Sequence, residues 1–180
     1  MTSAEYDAYV YDLDGTLVEL DVDWDAVREA VGAVLRARGV DVAGADLWNM
    51  LELADETGYR PLVERKIAEF EREGARTATR LTLADRLPHD EPTAVCSLNC
   101  EAAARIALEV FGLDGAVDAI VGRDSHDEEK PHPGPLLDAV EALGATPERT
   151  LFVGDSARDA ETARRAGTDF ASVEEWLDRA

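Results

Sequence analysis

The sequence predicts an α/β fold, a doubly wound parallel sheet with a small α-helical insertion after its first strand. Three observations predict it. Short apolar runs of strand length recur at 8–13, 93–98, 117–121, 150–153 and 170–173. Helical patterns separate the later runs, the alternation expected when each strand crosses through a helix to a parallel neighbour. Between residues 19 and 87 no strand alternation stands out, and apolar residues fall at helical spacing instead.

The first run is apolar through Tyr11, as a strand buried on both faces requires, and it ends in Asp12-Leu13-Asp14-Gly15-Thr16. Asp23 can cap a helix over 24–38, with Trp24, Val27, Val31, Val34 and Leu35 on one stripe and Gly39 closing it. Further helices are expected over 45–56, 61–73 and 78–86, and Pro88 and Pro92 mark the way out of the insertion. Asn99 can cap a helix over 100–111 that Gly112 ends. Gly134-Pro135 opens the next, which stops at Gly144, and a last one over 157–166 ends at Gly167. The expected division is a core of residues 1–18 and 89–180 and an inserted helical unit of residues 19–88.

With 180 residues the chain suits one core domain plus a small insertion. Its formal charge is −21, from 39 acids against 18 bases, and Lys66 and Lys130 are the only lysines. Such a surface repels nucleic-acid phosphates and anionic membranes, so neither is expected as a partner. Acids spread over helix faces in a chain 46% apolar argue against disorder. They fit a cytoplasmic protein of a salt-adapted organism such as a halophilic archaeon, where salt screens the mutual repulsion. There is no basic and apolar leader and no apolar stretch near ~20 residues, so neither secretion nor membrane spanning is expected. Cys96 and Cys100 read as packed thiols, and His89, His126 and His132 do not join them in a zinc spacing.

Asp12 and Asp14 lie two apart at a strand end, so their side chains are expected on the same side, at the mouth where α/β proteins bind ligands. A simple turn would use the same Asp and Gly. Three later segments shift the balance: Ser97-Leu98-Asn99 after an apolar run, Lys130-Pro131 in a loop, and Gly154-Asp155-Ser156-Ala157-Arg158-Asp159 after another run. In this order and at these strand ends, the segments resemble the four motifs of the haloacid dehalogenase-like (HAD) hydrolase superfamily: Asp-x-Asp-Gly-Thr, a Ser or Thr, a Lys, and Gly-Asp-x-x-x-Asp. One departure is Ser97 followed by Leu98-Asn99, where many relatives have Asn directly.

The resemblance implies a HAD-like Rossmannoid core, with the insertion as a cap over the substrate. It implies Mg²⁺-dependent hydrolysis of a small phosphorylated metabolite, in the manner of phosphoglycolate phosphatases. Asp12 would be the nucleophile, forming an aspartyl-phosphate, and Asp14 would protonate the leaving alcohol and then deprotonate the attacking water. A hard cation favours oxygen ligands, and Asp12, the Asp14 carbonyl and Asp155 would supply them. Lys130 would add positive charge beside the nucleophile, and the Ser97 hydroxyl would hold a phosphate oxygen. Accessory roles fall to Gly15, which lets the backbone turn, to Asn99, and to Asp159. For Asp159 two readings stand: support for the metal or lysine, and helix N-terminal charge. Trp24, Trp48, Tyr59 and Arg60 are left out of the site, since aromatics at helical spacing are more often core.

Asp14 argues against a dehalogenase, a class that generally lacks the second acid. A phosphomutase resembling β-phosphoglucomutase shares all four motifs and is the enzyme alternative. A phosphate-binding domain without turnover is the third reading. The oligomeric state is not legible.

Overall fold

The structure is a computed structural model that describes residues 6–179. The chain runs β1 (Ala8–Tyr11), β2 (Val18–Glu19), α1 (Trp24–Arg36), α2 (Leu47–Thr57), α3 (Arg60–Arg76), β3 (Thr79–Arg80), β4 (Thr93–Cys96), α4 (Glu101–Val110), β5 (Ala119–Val121), α5 (Gly134–Ala142), β6 (Thr150–Gly154), α6 (Ala157–Ala166), β7 (Asp169–Ser172) and α7 (Val173–Asp178), with short 3₁₀ turns between.

Strand β1 is buried along its length and lies at the centre of a parallel sheet ordered β5-β4-β1-β6-β7. Alternate side chains serve opposite faces. Tyr9, Tyr11, Val95 and Val153 pack with α4 and α7, while Val10, Cys96 and Phe152 pack with α5 and α6. β1 pairs with β4 on one side and β6 on the other. The chain therefore winds outward to one edge, returns, and winds to the other. That reversal opens a crevice at the carboxyl end of β1, where ligands bind in open α/β sheets.

The insertion has a core of its own, with Val27, Val31, Leu35, Met50, Leu51, Val63 and Ile67 closing three helices on one another. Asp23 caps α1 by accepting from the Ala26 N–H. Trp24 departs from the expected stripe and is 42% exposed.

The helix expected over 78–86 does not form. Thr79–Arg80 pairs antiparallel with Val18–Glu19 as a two-stranded neck, and a 3₁₀ turn follows at Thr82–Arg86. The last strand ends one residue early because Ser172 and Glu175 form a capping box that starts α7. Among the described residues no helix is long and apolar enough to cross a membrane.

Candidate active site

The turn after β1 winds tightly around one acceptor, the Leu13 carbonyl, which receives the N–H groups of Thr16, Leu17 and Val18. Gly15 sits in it at φ +84°, and a Cβ there would overlap the Asp155 carboxylate, so only glycine brings the two loops this close. Gly154 plays the matching part at the end of β6, where a Cβ would lie 2.7 Å from that of Asp159. Both strand ends thus converge on one point.

There the Lys130 ammonium, buried, donates to Asp12 Oδ1 at 2.9 Å, Asp159 Oδ1 at 2.6 Å and the Cys96 carbonyl at 3.1 Å. Burial pulls its pKa down, but the charges of Asp12 and Asp159 outweigh burial and the net shift is up. Burial pushes the Asp12 carboxyl above its usual range, Lys130 opposes this, and Asp159 adds to it. One ammonium is shared by two buried carboxylates, which leaves the centre short of positive charge.

Asp159 has two partners. Its Oδ2 accepts from the Ser156 hydroxyl at 2.6 Å in a capping box that opens α6, and its Oδ1 holds Lys130. Asp155 differs: among the described residues its carboxylate accepts no hydrogen bond and meets no cation. One carboxylate oxygen each from Asp12, Asp155 and Asp159 lie within 4.8 Å of one another, a cluster able to coordinate a divalent metal. Asp14 lies across the turn, its Oδ1 accepting from the Leu20 N–H at 2.8 Å. Burial raises its pKa, the Leu20 bond opposes this, and the Asp155 charge reinforces it.

Ser97 follows β4, buried, and its hydroxyl donates to Asn99 Oδ1 at 3.0 Å. Asn99 does not cap α4, whose N-terminal Cys100 and Glu101 N–H groups go to Glu71 and Asp124. A cavity of about 730 Å³ joins these loops to the cap, with Asp12, Asp14, Leu98, Asn99, Lys130 and Asp155 in its wall.

Trp24 and Trp48 line this cavity from the cap and are not core residues; the Arg158 guanidinium stacks 4.5 Å over the Trp48 ring. Glu71 and Arg123 also line it, as a buried ion pair at 2.7 Å that sequence reading passed over. One signal could have found Glu71. It shares the four-residue spacing of Val63, Ile67 and Ala75, an acid on the buried stripe of α3.

Comparison with known proteins agrees with this geometry. Residues 82–173 match the model of the haloacid dehalogenase-like hydrolase family. A phosphoglycolate phosphatase of Aquifex aeolicus is 30% identical over 90% of this chain and 82% of its own. One from Cereibacter sphaeroides is 35% identical over the same shares. Among solved structures, a HAD-superfamily hydrolase of Geobacter sulfurreducens superposes with a TM-score of 0.61 at 22% identity, covering 93% of this chain and 87% of that one. CbbY of Rhodobacter sphaeroides, solved in complex with phosphate, gives 0.64 at 20% identity, covering 93% and 85%. These two likenesses speak for the fold alone. Matched over residues 82–173 by the family model, and along nine-tenths of its length by relatives of 30% identity or more, the chain belongs to the haloacid dehalogenase-like hydrolases and is an enzyme of their phosphatase type.

Proposed function

We propose that the enzyme hydrolyses a small phosphate monoester with Mg²⁺, and that phosphoglycolate is the first substrate to try, since the relatives named above act under that name. The observation that carries this reading is the buried Lys130 shared by Asp12 and Asp159, with Asp14 across the turn and Asp155 unpaired beside it. Asp12 attacks phosphorus, the bond to the leaving oxygen breaks, and Asp14 gives that oxygen its proton. Water then attacks the same phosphorus, Asp14 takes a proton back, and the phosphorus–Asp12 bond breaks to free inorganic phosphate. The upward shift of Asp14 suits the acid that must begin protonated.

The donor set fits a hard cation. Asp12, Asp155 and the Asp14 carbonyl would hold it, and neither the Asp14 carbonyl nor the Asp155 carboxylate accepts a hydrogen bond among the described residues. When bound, it would supply the positive charge that lets a carboxylate meet an anionic ester. Lys130 favours the ionised form of Asp12 against burial and aims its Oδ1. From the cap, Trp24, Trp48 and Leu51 line the far side of the cavity.

Hydrolysis is favoured over phosphoryl movement within a sugar phosphate, which needs added cationic contacts for a bisphosphate. Among the described residues Arg28 is the one cap cation in the cavity wall. The acid excess completes the reading, with a halophilic archaeal source and a cytoplasmic enzyme. The test is phosphate release from a panel of monoesters with Mg²⁺, in dilute buffer and in molar KCl. Asp12→Asn should keep the fold and lose turnover. Wild-type turnover in that variant, or isomerised sugar phosphate outpacing free phosphate, would overturn the proposal.

A further inference from the structure

A carboxylate on the buried stripe of a helix carries a large desolvation cost unless every lone pair is met. Glu71, on α3 of the cap, is fully buried. Its Oε1 accepts from Arg123 Nη1 at 2.7 Å and Asn99 Nδ2 at 3.2 Å, and its Oε2 from Arg123 Nη2 at 2.9 Å and the Cys100 N–H at 3.0 Å. These use the roughly four acceptor sites of a carboxylate. Arg123 in turn donates to the Leu98 carbonyl at 2.6 Å and to Glu64, also on α3, at 2.7 Å. The pair, Glu71 from the cap helix and Arg123 from the turn after β5, therefore grips the turn after β4 at Leu98, Asn99 and Cys100.

That grip reaches Ser97. Glu71 can only accept, so it takes the Asn99 amide nitrogen and leaves Asn99 Oδ1 facing the Ser97 hydroxyl. The Asn99 N–H donates to Ser97 Oγ at 3.0 Å, so Asn99 holds the hydroxyl through both its oxygen and, at Oδ1, its proton. Beside it, the Leu98 N–H finds no acceptor among the described residues, and Leu98 lines the cavity. Once the hydroxyl turns its proton from Asn99 Oδ1 to an anion, it and the unmet Leu98 N–H form a donor pair for that anion's oxygen.

We propose that Glu71 is a positioning residue for phosphate: from the cap, through Asn99, it sets the Ser97–Leu98 donor pair of the core. The proposal rests on the reading above that this turn faces the transferred phosphate. The experiment measures inhibition by inorganic phosphate, KM, kcat and melting temperature for the Mg²⁺-loaded enzyme carrying Glu71→Gln, Asn99→Ala, Ser97→Ala, and Glu71→Gln with Ser97→Ala. Glu71→Gln should raise the phosphate inhibition constant and KM about tenfold, the scale of one hydrogen bond to a charged group, with kcat changed less. In the Ser97→Ala background it should add little, because both act through one contact. Asn99→Ala leaves the Glu71–Arg123 pair whole and should weaken phosphate alike, which decides the matter if Glu71→Gln does not fold. A folded Glu71→Gln or Asn99→Ala enzyme with wild-type phosphate inhibition would overturn the proposal. So would losses from Glu71→Gln and Ser97→Ala that simply multiply. Wild-type inhibition in Ser97→Ala would instead overturn the phosphate reading of the turn, and the role of Glu71 with it.

Discussion

Replacing Lys130 by Met keeps the length of the side chain and its place near the Phe152 ring while removing the one charge that Asp12 and Asp159 share. Both carboxylates are buried, at 6% and 1% exposure, so they cannot turn to bulk water. Breaking a buried ion pair from one side costs about 3–5 kcal/mol. In a chain of this size each kcal/mol moves the melting temperature by about 2–4 °C, so the variant should melt about 6–20 °C lower at neutral pH.

The size of that loss must depend on pH, and its sign follows from Asp12. Burial already lifts the Asp12 pKa against the pull of Lys130, and without Lys130 it rises further. A carboxyl whose folded pKa stands above its unfolded value, about 3.9, has its full stability at low pH and loses it as pH climbs through the folded value. The deficit should therefore be small near about pH 4 and full near about pH 8. Thermal melts in chelator, at matched ionic strength across that range, measure it. A deficit that does not change with pH, or one under about 2 °C near neutrality, would refute the claim that this lysine neutralises the buried acids.

The thiols should be inert: burial pushes Cys96 up to about 12 and Cys100 up to about 11, so almost no thiolate exists near pH 8. Native protein should give no prompt colour with Ellman's reagent, and unfolded protein should give both thiols. Asp155→Asn should weaken Mg²⁺ binding in calorimetry at least about tenfold while barely moving the melting temperature, because its carboxylate is exposed and holds nothing in the protein. Finally, with a formal charge of −21, the melting temperature should rise from dilute buffer to molar KCl as screening relieves repulsion, and a flat response would remove the salt-adapted reading.

What was legible in the sequence was whatever local chemistry announces. Apolar runs located the parallel strands, and glycines marked helix ends, as Gly167 does in the left-handed conformation at φ +80°. The acids after β1 and β6 were found because polar residues at the end of a buried strand have few structural reasons to be there. Where a partner lies far along the chain, local pattern fails. Thr79–Arg80 read as helix because nothing near it shows that Val18–Glu19 waits to pair with it.

The same limit explains the site. Asn99 looked like the cap of α4, but the acceptors at that helix end are Glu71, 29 residues away, and Asp124, 23 residues away. In a chain with 39 acids a single glutamate has no visible weight, and Arg123 reads as a surface base until its partners are seen. Both belong to contacts between the cap and the core, as does Trp48 under Arg158. The candidate chemical residues come from the loops after neighbouring strands, so the order of motifs points to them. Residues that tell the core where the cap is come from surfaces that meet only after folding, and helical periodicity gives them one trace: a charged side chain on a stripe that should be apolar.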